Sequence, residues 1–102
     1  MIHVLAIITT KPGKRDEVLG IFRALVSTVR KEQGCIEYGA AIDVEAGGST
    51  QTKLGPDAYM VVEKWASPAA LAAHSAAPHM VEYRAKTKDL VVSRVIHVLA
   101  PS

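Results

Sequence analysis

A single cysteine, Cys35, stands in this chain of 102 residues, so neither an internal disulfide nor a paired-cysteine metal site is available. No apolar run approaches the roughly 20 residues needed to span a bilayer. Aromatic side chains make up only 5% of the chain: Phe22, Tyr38, Tyr59, Trp65 and Tyr83. An excess of charge of one sign is missing too, since 12 Lys and Arg against 10 Asp and Glu leave +2. That balance lacks the clustered basic stripe of a nucleic-acid binder. Nor is there a cationic leader, because Lys11 and Lys14 follow the apolar run 2–8 and no small-residue cleavage site comes after it. The expectation is a cytoplasmic protein with no membrane or nucleic-acid partner.

The composition that remains, 49% hydrophobic and 22% charged, is globular. Residues 1–102 read as one domain. A chain this short buries a modest share of its surface, and with no disulfides to compensate, oligomerisation is expected.

Residues 2–9 are β-branched and apolar on both faces, as in a strand covered on two sides. Lys11-Pro12-Gly13 signals a turn. Val18, Ile21, Phe22, Leu25 and Val29 then recur at three- and four-residue intervals, which predicts an amphipathic helix over 14–33 ending at Gly34. A second strand is expected over 35–44, with Ile36, Tyr38, Ala40 and Ile42 on one face. Residues 45–57 form a long connection of the kind that often binds ligands. A third strand, 58–66, alternates Tyr59, Val61, Glu63 and Trp65 against Met60, Val62 and Lys64. Ser67-Pro68 opens a short helix, Ala77-Pro78 opens another to about Lys86, and 89–99 close the chain as a fourth strand.

Strand, helix, strand, strand, helix, strand is the split βαβ, ferredoxin-like α+β order. Its antiparallel sheet carries helices on one face only, yet the outer strands are apolar on both faces. A bare apolar face needs a partner, so a homodimer with sheets face to face is expected.

No glycine-rich nucleotide loop, Gly-x-Ser-x-Gly elbow or metal-spaced Cys/His set occurs. One constellation remains: Tyr59, Glu63 and Trp65 on one strand, then His74 and His79. Trp65 serves either as a core anchor or as the wall of a flat aromatic pocket. Glu63, amid apolar neighbours, needs a partner or a shifted pKa; an interface salt bridge and an acid/base role are both open. His74, three residues after Leu71, faces inward, either as a satisfied core histidine or as a general base. His79 points to solvent or into a pocket. Two histidines five apart with no third ligand argue against a metal site. His3, His97 and Cys35 read as structural.

These residues resemble the antibiotic biosynthesis monooxygenase family, in particular its small quinol monooxygenase branch. The matching features are Lys11-Pro12-Gly13, Glu32-Gln33-Gly34-Cys35 with Tyr38, Glu63-Lys64-Trp65 with Ser67 and His74, and Ala77-Pro78-His79-Met80. The resemblance implies a dimeric α+β barrel that oxygenates a quinol or polycyclic hydroxy-aromatic with dioxygen, without flavin, haem or metal. It points to His74 as base or proton relay and to Trp65 and Tyr59 as aromatic wall. Glu63, His79 and Tyr83 would be polar contacts to the substrate. Haem degradation is disfavoured, because the first strand offers Ala6 or Ile7 where that branch has asparagine. Two other readings stay open. One is isomerisation of a small phosphorylated metabolite, for which Arg84 and Lys88 are the nearby cations. The other is a non-catalytic dimeric binding or stress module, which requires Trp65 and His74 packed with no cavity beside them.

Overall fold

The computed structural model describes residues 1–102. Its elements are β1 (Ile2–Thr10), α1 (Arg15–Arg30), β2 (Cys35–Ala41), β3 (Ala58–Trp65), α2 (Pro68–Ala76), α3 (Pro78–Thr87) and β4 (Val91–Leu99). The sheet order is β2-β3-β1-β4 with every neighbour antiparallel. This is the expected ferredoxin-like α+β fold. No helix is long and apolar enough to cross a membrane.

Alternation sets the layers. On β1, Ile2, Val4, Ala6 and Ile8 are buried while the residues between them are half-buried. Tyr59, Val61, Glu63 and Trp65 do the same on β3 and stand opposite them in register. These two central strands face Val18, Leu19, Phe22 and Val29 of α1, with Met80 and Tyr83 of α3 closing the core. Apolar burial of this kind contributes about 25 cal/mol per Å² and is the main favourable contribution to folding.

The ends of the elements differ from the expected ones for local reasons. Helix α1 stops at Arg30, where the N–H groups of Lys31 and Glu32 turn back to the carbonyls of Thr28 and Val29. Gly34 then reverses the chain at φ +84°, and a Cβ there would lie 2.6 Å from the Ala70 Cβ. The close approach lets the Gly34 carbonyl accept the Ala66 N–H at 2.8 Å, so the β3–α2 junction is tied to the end of α1. Ser67 caps α2 as expected, its Oγ accepting the Ala70 N–H at 3.1 Å.

The expectation that Ile36 shares a face with Tyr38 fails. A register shift between Cys35 and Glu37 leaves Ile36 exposed while Tyr38 is buried against Glu63. Strand β2 also ends three residues early, at Ala41. Two residues beyond it, Asp43 takes the Leu54 and Gly55 N–H groups at 2.8 and 2.9 Å, drawing the chain out of the sheet.

Candidate active site

Between the sheet and helices α2 and α3 lies a cavity of about 130 Å³. Ala6, Ile8, Val61 and Ile96 form its sheet wall, and Phe22, Met80 and Tyr83 its helix wall. Into this apolar space project Tyr38, Glu63 and His74, with Arg84 and Arg94 also on the lining. Two wider depressions, about 370 and 530 Å³, bring together no acid/base pair: one is edged by Arg23 and Arg30, the other by small residues around Ala70.

Two separate hydrogen-bonded groups border the cavity. Trp65, fully buried, donates its indole N–H to Glu63 Oε1 at 2.8 Å. Its ring sits 4.6 Å from that of His74 at 35° and backs the imidazole, while Tyr38 meets His74 edge-on at 5.4 Å. On the far side of His74, Nδ1 is 2.9 Å from Glu32 Oε2. The same oxygen is 2.9 Å from His79 Nε2. An ionised carboxylate only accepts, so both ring nitrogens facing Glu32 are the protonated ones. By that assignment a neutral His74 carries its lone pair on Nε2. That nitrogen, the second Glu63 oxygen and the Tyr38 hydroxyl have no hydrogen-bond partner within the chain, although all three side chains line the cavity.

Electrostatics follow from burial. Loss of water pushes the Glu63 carboxyl up, and the Glu32 charge adds to the push; the Trp65 N–H and the neighbouring His74 pull it back. Burial also raises the Tyr38 and Tyr59 phenols, so both remain hydroxyl donors at neutral pH.

The structure thus brings Glu63, His74 and Tyr83 onto the cavity wall. Trp65 and Tyr59, expected as its aromatic wall, lie one layer behind and are fully buried. Trp65 reaches the cavity only through His74 and Glu63, and Tyr59 through its 2.9 Å hydroxyl contact with Tyr83. The aromatic wall is instead Phe22, 5.3 Å from Tyr38 and 6.2 Å from Tyr83 by ring centroids. His79 takes neither of its expected orientations alone: it is part-exposed and holds Glu32 from outside the main cavity. Lys88, an expected cation, is absent from the lining, whereas Arg94 is present.

Glu32, Tyr38, Phe22 and Arg94 were not picked out as site residues. All but Glu32 had a readable signal. Phe22 belongs to the buried stripe of α1, Tyr38 falls opposite Glu63, and Arg94 falls opposite the inward Ile8. Glu32 had only its place beside Gly34. It also supplies the third ligand that two histidines alone lacked. The ligand atoms of Glu32, His74 and His79 lie within 4.8 Å of one another, a set of the 2-His-1-carboxylate kind. Donation from both rings to one oxygen satisfies these groups without an ion.

Fold and cavity together define a small ferredoxin-like α+β domain that encloses an apolar cavity beside a histidine. The chain belongs to the antibiotic biosynthesis monooxygenase family, whose model matches residues 1–86. It is 41% identical over 103 residues to the Escherichia coli K12 protein named "Probable quinol monooxygenase YgiN", covering 99% of this chain and 98% of that one. Bacillus subtilis YcnE is 33% identical over 91 residues, covering 89% of this chain and 86% of that one. The crystal structure of PA3566 from Pseudomonas aeruginosa superposes with a TM-score of 0.83 at 25% identity, covering 99% of this chain and 93% of that one. These relationships support an oxidoreductase of the monooxygenase type.

Proposed function

We propose that this protein oxidises a quinol or polycyclic hydroxy-aromatic with dioxygen, using no flavin, haem or metal. The observation that carries the reading is an apolar cavity lined by His74, whose Nδ1 is taken by Glu32 and whose Nε2 is left free, with Glu63 and Tyr38 beside it. Its volume, about 130 Å³, approaches that of an engineered cavity of roughly 150 Å³ that accepts benzene. One ring fits within and a fused second ring extends towards the mouth.

His74 Nε2 removes a hydroxyl proton from the bound quinol. The resulting anion is electron-rich enough to pass electrons to dioxygen without a cofactor, and the surrounding apolar walls keep water away. If oxygen is only reduced, quinol and dioxygen give quinone and hydrogen peroxide, and the protons leave on the peroxide. If one atom is inserted, the products are a hydroxyquinone and water. Glu32 holds the imidazole in the productive tautomer, and Trp65 fixes its plane and steadies Glu63. A non-catalytic module would need His74 packed without a cavity, and the cavity beside it argues against that reading.

We also propose a homodimer formed through the sheet. On the sheet face away from the helices, Val95 and Leu99 of β4 are at least 44% exposed and Leu5 and Ile7 of β1 are only half-buried, an apolar surface unusual for a lone monomer.

The test is oxygen uptake by protein stripped with a chelator and freed of flavin, given 2-methyl-1,4-naphthoquinol. Uptake above autoxidation, unchanged by added metals, is expected. Rates equal to buffer across a panel of quinols and hydroxylated polycyclics would remove the proposed activity.

A further inference from the structure

Two guanidinium groups on the cavity lining have no acidic partner. Arg94 of β4 donates from Nη2 to Thr87 Oγ1 at 3.0 Å. Thr87 is completely buried, and its hydroxyl is itself fixed to the Tyr83 carbonyl at 3.0 Å, so the anchor is rigid. Arg84 of α3 donates from Nη2 to the Ser75 carbonyl at 2.9 Å. Neither makes an ion pair within 4.0 Å; the chain's six ion pairs all involve other cations. Each arginine is therefore oriented by one neutral oxygen and keeps its remaining N–H groups free.

The single acidic side chain on the lining, Glu63, lies far along the sheet. Glu63 pairs with Val4 and Arg94 pairs with Ile8, so four residues of β1 separate their registers. At about 3.3 Å per residue that is about 13 Å. The cavity thus has a proton-accepting end at His74 and Glu63 and a cationic end at Arg84 and Arg94, with Ala6, Val61 and Ile96 between them. A guanidinium left without a counter-ion beside an apolar cavity draws anions to it and pairs with a carboxylate through two parallel hydrogen bonds.

We propose that Arg84 and Arg94 form a carboxylate-binding end of the cavity, so that the preferred substrate is an acidic quinol rather than a neutral one. The inference rests on the quinol reading above. The carboxylate would anchor the ring system at the mouth while the hydroxyl to be deprotonated reaches His74. It gives the cavity a fixed substrate direction that apolar walls alone do not supply.

Two measurements separate this inference from the activity on which it rests. The first compares kcat/KM for 1,4-dihydroxy-2-naphthoate and for 2-methyl-1,4-naphthoquinol. Wild type is expected to prefer the carboxylate by tenfold or more. That ratio should fall at least tenfold in Arg94→Gln and in Arg84→Gln/Arg94→Gln, return in part in Arg94→Lys, and stay unchanged in Lys88→Gln, which removes a charge outside the cavity. The second is calorimetric binding of 1-hydroxy-2-naphthoate, 1-naphthol and 1-naphthyl phosphate, which requires no turnover. Tighter binding of the naphthoate, lost in the double arginine variant, supports the site even if no quinol is oxidised. Equal affinity for naphthoate and naphthol, or an equal ratio in wild type and the arginine variants, overturns it while leaving quinol oxidation intact. Tenfold tighter binding of the naphthyl phosphate overturns the carboxylate assignment.

Discussion

Replacing Trp65 with phenylalanine probes the support behind His74. The indole is fully buried, donates to Glu63 Oε1 at 2.8 Å and lies 4.6 Å from the imidazole at a tilt of 35°. Phenylalanine keeps an apolar ring but has no N–H and leaves part of the indole volume empty. Losing a hydrogen bond to a buried charged group costs about 1.5–3 kcal/mol, and the void adds about 1–2 kcal/mol. A combined loss of about 2.5–5 kcal/mol is a large share of the roughly 5–15 kcal/mol that holds a domain folded. At about 4–8 °C per kcal/mol, the melting temperature should fall by more than about 10 °C.

The pH dependence carries the mechanism. Burial raises the Glu63 carboxyl, so its contribution to stability is complete below the unfolded carboxyl pKa and is lost as pH rises through the folded one. The Trp65 N–H opposes that rise by favouring the ionised form. Its removal should therefore matter little near pH 4 and increasingly towards pH 8. Urea unfolding of wild type, Trp65→Phe, Glu63→Gln and the double variant at both pH values closes a double-mutant cycle. The expected coupling at pH 8 is about 1–3 kcal/mol, the size of a hydrogen bond to a charged group. Costs that add within about 0.5 kcal/mol and do not change with pH would refute the reasoning.

Further expectations follow from the same contacts. In Glu32→Leu both imidazoles lose the single oxygen that holds their tautomers; kcat should fall by about 10²–10⁴-fold, the range of a general base, with KM little moved. Steady-state oxygen uptake measures this, and a wild-type kcat would free His74 from Glu32. Gly34→Ala places a Cβ 2.6 Å from that of Ala70 at φ +84°. A loss of about 1–3 kcal/mol in urea unfolding is expected, and an unchanged midpoint would show that the junction yields freely. Val95→Lys puts a charge on the exposed apolar strip. Light scattering should then report monomer where wild type reports dimer, and a monomeric wild type would end the dimer proposal.

The fold was legible wherever periodicity was clean. Strand β3 reads with Tyr59, Val61, Glu63 and Trp65 on one face, β1 as a strand apolar on both faces, and α1 by its continuous apolar stripe. The bulge at Ile36 was hidden because an inserted residue leaves no mark on composition. The early end of β2 was hidden because Asp43 makes its hydrogen bonds to residues more than ten positions away. Glu63 and His74 were legible in the candidate site as polar residues on inward faces. Glu32 was not, because what matters about it is the convergence of three segments on one oxygen. Trp65 and Tyr59 were assigned one layer too close to the cavity, since alternation gives the face of a side chain and not its depth.

The most direct measurement is oxygen uptake with 2-methyl-1,4-naphthoquinol by metal-free wild type and His74→Ala, with and without added imidazole. If His74 Nε2 takes the quinol proton, the variant should lose at least about 10²-fold in kcat and regain part of it as imidazole occupies the vacated space. A variant as fast as wild type, or one equally slow with and without imidazole while folded and still able to bind the oxidised quinone, would contradict that role.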